Sequence, residues 1–178
     1  MSRRLRLAPE EFPPYGPRLD DFTAVLRQRY GLALAYHHHL MMVAETLDEV
    51  HAVMDASGPE VGLLLDTGHA AAAHFDYARL IEEFAPRINH IHLKDVRADV
   101  LADVRTRDLS FNDAVRAGMF TVPGDGSVDF GPLARFLAAG GYAGWLVVEA
   151  EQDPTRVPPA PTVARARRFV VEHILPAA

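Results

Sequence analysis

Short apolar runs alternate along this chain with stretches in which apolar residues return every three or four positions. Leu32-Ala33-Leu34-Ala35-Tyr36-His37, Val61-Gly62-Leu63-Leu64-Leu65-Asp66, Ile88-Asn89-His90-Ile91-His92-Leu93-Lys94 and Trp145-Leu146-Val147-Val148-Glu149 are of strand length and largely apolar. Runs of this kind belong to parallel sheets covered on both faces. The stretches between them have helical spacing. Phe22, Val25, Leu26 and Tyr30 predict a helix over 20–30, with Asp20 or Asp21 as N-cap and Gly31 as its stop. Thr46 and Glu49 stand at capping-box spacing ahead of Val50, Val53 and Met54, so a second helix is expected, ending at Ser57-Gly58-Pro59. Asp76 is placed to cap a third helix that stops before Pro86, and Asp129 a fourth over 132–139, closed by Gly140-Gly141. A last helix covers 163–174, residues 96–118 are polar and helix-compatible, and 121–126 has turn chemistry. Residues 1–17 carry Pro9, Pro13, Pro14 and Pro17 and read as an irregular lead-in.

Strand–helix alternation with apolar strands gives an α/β class and one domain over 18–178. Four strands make half of an eight-stranded (β/α) barrel, which takes about 250 residues when complete. A half barrel leaves two apolar strand edges that invite pairing or aggregation.

The polar residues sharpen this picture. Asp66-Thr67-Gly68-His69, His92-Leu93-Lys94-Asp95 and Glu149-Ala150-Glu151 each follow an apolar run, at the strand ends where parallel α/β folds bind their ligands. Side chains alternate across a strand, so parity tests whether these groups face together. His90, His92 and Lys94 share a face, as do Leu64 with Asp66, Glu149 with Glu151, and His37 with His39, while His38 points the other way. Parity therefore permits His37 or His39, Asp66, His92 and Glu149 to meet at one mouth. Two imidazoles and two carboxylates would give a divalent cation a neutral site, compatible with Mn²⁺, Co²⁺, Fe²⁺ or Zn²⁺. Each residue also has an ordinary reading. Asp66 could be a helix N-cap or turn former, His92 a hydrogen-bonded half-buried histidine, and Lys94 a partner of Glu151 or Asp95. Glu149 resists such a reading, because a carboxylate ending a Trp-Leu-Val-Val run is costly to desolvate unpaired.

Composition then removes partners. The chain has 178 residues, with 49% hydrophobic, 24% charged and a net charge of −6, which argues against a nucleic acid or an anionic membrane as main partner. It has no cysteine, so disulfides and thiolate ligation are excluded. No apolar run approaches the roughly 18 residues of a membrane span, and the basic start leads into Pro9-Glu10-Glu11 without a signal core. A cytoplasmic location is expected. The basic residues Arg165, Arg167 and Arg168 fall in a helical pattern and read as a solvated face.

The strings Tyr36-His37-His38-His39, Asp66-Thr67-Gly68-His69, His90-Ile91-His92-Leu93-Lys94-Asp95-Val96-Arg97, Phe120-Thr121-Val122-Pro123-Gly124-Asp125-Gly126 and, near the end, Gly144 through Pro154 resemble the myo-inosose-2 dehydratase family. That family lies within the xylose-isomerase-like TIM-barrel superfamily. The likeness runs from about residue 30 onward, so the expected fold is the C-terminal half of such a barrel. Either a longer protein supplies the remainder or two copies complete each other as a homo-oligomer. The resemblance implies a hydro-lyase holding one divalent metal, Mn²⁺ or Co²⁺, and acting on a cyclic polyol ketone, 2-keto-myo-inositol (scyllo-inosose), in inositol catabolism. Superfamily ligands map onto Asp66, His92 and Glu149. The first ligand, usually a Glu, falls at His37, with His39 or Glu45 as alternatives. Leu40-Met41-Met42 replaces the family's usual Met-Gly-Thr, in a turn expected to face substrate.

From their placement, Lys94 is expected to act as base or enolate stabiliser, and Glu151 and His69 as acids for the leaving hydroxyl. His39, Gly124 and Gly126 are expected to contact the polyol. The alternatives are a divalent-metal sugar isomerase or epimerase, in which no water leaves, and a non-catalytic half-barrel fragment. An abasic-site nuclease is disfavoured by the acidic charge and the small ligand set.

Overall fold

The computed structural model describes residues 4–175. A 3₁₀ turn, Pro9–Glu11, leads into α1, Phe12–Tyr30, which begins eight positions before the expected Asp20 start. The proline-rich stretch is therefore mostly helix. Pro13 and Pro14 occupy the first turn, where the missing N–H has no intrahelical partner to lose. Pro17 lies inside the helix, and packing holds it there: Gly16 is buried against the end of the next helix, where a Cβ would run into Ala56. Gly31 ends α1 in the left-handed region at φ 65°.

The remaining elements follow in order. They are β1 (Ala35–His37), α2 (Leu47–Ala56), β2 (Gly62–Asp66), α3 (Thr67–Ala72), α4 (Ala78–Phe84), β3 (Ile88–Leu93), β4 (Asp95–Val96) and α5 (Ala98–Thr106). Then come α6 (Phe111–Ala117), β5 (Phe120–Thr121), α7 (Gly131–Ala138), β6 (Trp145–Val148) and α8 (Pro159–Phe169), extended by a π-turn over Val170–Ile174.

β1, β2, β3 and β6 form one four-stranded parallel sheet in that order, with His37 opposite Leu64, Asp66 opposite His92 and His92 opposite Val147. Leu63, Leu65, Ile91 and Leu93 face the helices and join Val50, Val53 and Met54 of α2, Leu80 of α4 and Leu133 of α7 in the main core. The opposite faces of these strands carry the polar groups, as parity requires. A second core lies beyond the strand ends, where Val96, Leu101, Val104, Ala114, Met119 and Phe120 pack together.

Several local expectations change: Asp76 stands one residue before Tyr77, the N-cap of α4, and accepts from Ala78 N at 2.9 Å, and the last helix begins at Pro159 instead of Val163. The first strand shortens to Ala35–His37 because its partner begins only at Gly62. The stretch expected as one helix-compatible run over 96–118 holds two helices, and the strands β4 and β5 that flank them pair antiparallel. Asp129 precedes α7 without capping it through N2 or N3; it accepts from Gly131 N at 2.8 Å. Among the described residues no helix is long and apolar enough to cross a membrane.

Candidate active site

The mouth of the sheet is built by the turns that follow β1, β2, β3 and β6. At the end of β2, Asp66 is buried and caps α3, its Oδ1 accepting from His69 N at 2.8 Å. The N-cap reading of Asp66 is therefore correct for one oxygen. Oδ2 faces the sheet mouth, 3.4 Å from His37 Nε2, 3.4 Å from His92 Nδ1 and 3.6 Å from Lys94 Nζ. His92 Nδ1 also lies 2.9 Å from Glu149 Oε2. Single donor atoms from His37, Asp66 and His92 fall within 4.8 Å of one another, and so do those from Asp66, His69 and Glu149.

The Lys94 side chain is fully buried. Its Nζ stands 2.7 Å from Glu151 Oε2, 2.8 Å from Glu149 Oε2 and 2.9 Å from His69 Nε2, with the Phe120 ring centroid 4.8 Å away. Thr67 locks the backbone beneath it, its hydroxyl donating to Lys94 O at 2.6 Å and accepting from Lys94 N at 3.1 Å. Lys94 thus pairs with Glu151, one of its two expected partners, but not with Asp95.

Electrostatics follow from this crowding. Burial works against the charge on Asp66, yet His69, His37, His92 and Lys94 hold its carboxyl well below the usual range. Burial likewise disfavours imidazolium at His92, but Asp66 and Glu149 outweigh it and raise the group to about 9. The His92 and Lys94 contacts hold Glu149 down to about 2. Burial opposes the ammonium of Lys94 and loses to Asp66, Glu151 and Glu149, which keep it charged. His69, buried beside that ammonium, is held neutral, and burial pushes His38 down to about 3.

The donors fit a cation on one observation in particular. Asp66 Oδ2, His37 Nε2, His92 Nδ1 and Glu149 Oε2 are all buried, and none has a well-oriented hydrogen-bond partner. Buried polar atoms are normally satisfied, so four such atoms at one mouth mark a place for a ligand that attracts lone pairs. A proton on His92 partly serves that need here, and a divalent cation would compete for the same position.

The other expected residues separate. His39 joins a second group, with Nε2 4.0 Å from Glu151 Oε1 and its ring centroid 3.6 Å from that of His69. The Lys94 ammonium already lies against two members of that group, 2.9 Å from His69 Nε2 and 2.7 Å from Glu151 Oε2. Glu45 is spent elsewhere, accepting from Met41 N at 2.6 Å and facing Arg4 at 3.5 Å. Gly124 and Gly126 do not offer free amides to a polyol. Both donate at 3.0 Å to Asp95 Oδ2, and a Cβ at either would meet Phe169 or Asp95. Asp95 also accepts from Val96 N and Val128 N, so the glycines serve to wrap their turn around a buried carboxylate. Sequence reasoning missed Asp95, Thr67 and His38; of these only Asp95 left a trace, as a carboxylate next to a buried lysine.

The profile of the xylose isomerase-like TIM-barrel family matches residues 19–173. The chain belongs to that family. Among its relatives, the rhizopine catabolism protein MocC of Rhizobium meliloti is 50% identical over 159 residues, which cover 89% of this chain and 49% of that protein. An inosose dehydratase of Halalkalibacterium halodurans is 44% identical over 151 residues, 84% of this chain and 50% of that enzyme. The chain therefore spans about half the length of these curated relatives. Two solved structures share the fold. The IolI protein with a bound zinc atom superposes with a TM-score of 0.67 at 18% identity, over 94% of this chain and 58% of that one. The probable 3-DHS dehydratase AsbF of Bacillus anthracis gives 0.71 at 14% identity, over 94% and 59%.

Proposed function

We propose that this chain carries the metal-binding and proton-handling part of a dehydratase that removes water from 2-keto-myo-inositol (scyllo-inosose) in inositol catabolism. The observation that carries this reading is the convergence of four buried donor atoms without well-oriented hydrogen bonds at one mouth, on a chain 44% identical to an inosose dehydratase over 151 residues. His37, Asp66, His92 and Glu149 would hold the cation, and Mn²⁺ or Co²⁺ suits this nitrogen–oxygen set, as do Zn²⁺ and Fe²⁺. A cation held there would supply Lewis-acid polarisation of the ketone.

The chain's own residues do the rest. Lys94, charged and anchored among three carboxylates, stabilises negative charge growing on the enolate oxygen. That environment argues against Lys94 as the base. Glu151 is partly open, with 26% of its side chain exposed, and takes the proton α to the ketone. The same carboxyl then returns the proton to the β-hydroxyl, which departs as water, so one group serves as base and acid. His69 is neutral and buried; it orients Lys94 and Glu151 instead of acting as an acid in its own right. His39, on the open side of Glu151, hydrogen-bonds a substrate hydroxyl. In solution, self-pairing of two half barrels would cover the open sheet edges.

The test is turnover of scyllo-inosose with Mn²⁺ or Co²⁺, followed by the ultraviolet absorbance of the conjugated enol form of the dione product. Asp66→Ala and Glu149→Ala are expected to lose both bound metal and absorbance. Ketose interconversion without absorbance would point to an epimerase, and wild-type protein that binds neither ion would favour a non-catalytic fragment.

A further inference from the structure

The parallel pairing of β1 with β2 ends at His37, opposite Leu64. Asp66 therefore has no β1 backbone carbonyl to receive its N–H. The imidazole of His38 takes that place: its Nε2 accepts from Asp66 N at 3.1 Å, in a fully buried setting. The ring packs against Phe75, with centroids 5.6 Å apart. Acceptance at Nε2 fixes the tautomer, since the single proton of a neutral imidazole must then sit on Nδ1. That Nδ1 has no hydrogen-bond partner, a cost that an apolar side chain of similar size would not carry.

Asp66 is consequently held at two atoms. Its N–H is bound by His38 and its Oδ1 by the His69 N–H, which leaves Oδ2 directed at His37 and His92. We propose that His38 is a positioning residue for the metal centre, its Nε2 holding the Asp66 backbone so that Oδ2 meets the cation. This rests on the metal-centre reading above. It adds a group from the helix-packed face of β1's continuation to a site otherwise built from the open face.

Two variants separate acceptor from bulk. His38→Gln keeps an acceptor at similar reach, whereas His38→Leu fills the space without one. Co²⁺ is the probe, because its visible spectrum reports coordination geometry, and titrations at neutral pH are read beside the thermal midpoint of the metal-free proteins. His38→Leu is expected to bind Co²⁺ roughly 10- to 100-fold more weakly with an altered spectrum, a typical loss for a group one shell out from the ligands. His38→Gln is expected to stay within about threefold of wild type and keep its spectrum. Wild-type affinity and spectrum in His38→Leu would overturn the proposal. So would a tenfold or larger loss in His38→Gln at an unchanged metal-free midpoint, on the same roughly tenfold scale. If the leucine variant does not fold, the glutamine variant alone decides by those limits. Failure of wild-type protein to bind Co²⁺ sinks the metal-centre reading itself, which is a different result.

Discussion

Lys94 concentrates the energetic conflict of this site in one atom. An ammonium without solvent exposure is expensive, and it is tolerated here because Asp66, Glu149 and Glu151 surround it at 3.6, 2.8 and 2.7 Å. Its charge should repel a cation bound at Asp66 and attract an enolate. Lys94→Gln is therefore expected to lower turnover by about 100-fold or more while Co²⁺ binds as tightly as before or more tightly. Retained turnover would remove Lys94 from the mechanism. The lysine is also held from above. Gly68 lies so close that a Cβ would run into Lys94 Cγ and Cβ. Gly68→Ala should accordingly displace the ammonium, cutting kcat more than metal affinity. Parallel kinetics and titration would reveal a purely structural role, in which both fall together with the melting midpoint.

At the level of elements, the loop between β5 and α7 is organised by a single carboxylate. Asp95 accepts from the backbone N–H groups of Val96, Gly124, Gly126 and Val128, at 2.8 to 3.0 Å. Asp95→Ala leaves several buried donors unpaired and is expected to cost on the order of 3 kcal/mol in urea unfolding. A loss below about 1 kcal/mol would mean that water replaces the carboxylate freely. The start of α2 offers a pH handle. Glu49 closes the capping box with Thr46 and pairs with Arg4 at 2.7 Å. Burial opposes its charge, but the Arg4 and backbone contacts lower it from 4.5 to about 2. A depressed carboxyl stabilises the fold above its unfolded value and loses that contribution as pH falls from about 4.5 toward 2. Glu49→Gln should therefore flatten the acid limb of the stability curve over that window, and an identical limb in both proteins would contradict it.

These elements also show what could be read in advance. The strands are legible because buried parallel strands are written as apolar runs, and the gathering of His37, Asp66, His92 and Glu149 at one mouth because parity fixes which end residues face together. The same parity set His38 aside, since it says where a side chain points and not which backbone N–H it can reach. α3 escaped for a different reason. Five of its six residues are buried, so no apolar stripe repeats along it. The early start of α1 was hidden by prolines that local rules count as breakers, and packing of Gly16 on α2 overrides them. The contact of Asp95 with a turn nearly thirty residues away leaves no spacing signal.

For the whole molecule, the open sheet decides behaviour in solution. Among the described residues β1 pairs only with β2 and β6 only with β3, so both outer strands present free backbone groups. The one tryptophan, Trp145, begins β6 on the open face and is 76% exposed. Two copies related by a twofold axis along the barrel axis would set β6 of each beside β1 of the other and keep all strands parallel. That arrangement closes both edges at once and buries Trp145 in the interior. Rising protein concentration is therefore expected to move the sample to twice the chain mass in light scattering and to shift tryptophan emission toward the blue. Trp145→Lys, which places a charge where the two sheets would meet, should hold the mass at that of one chain while α1 to α8 keep their circular dichroism. A monodisperse single chain at high concentration, emitting as an exposed indole, would exclude self-pairing. The open edges would then be left to further strands of a longer chain or to another polypeptide.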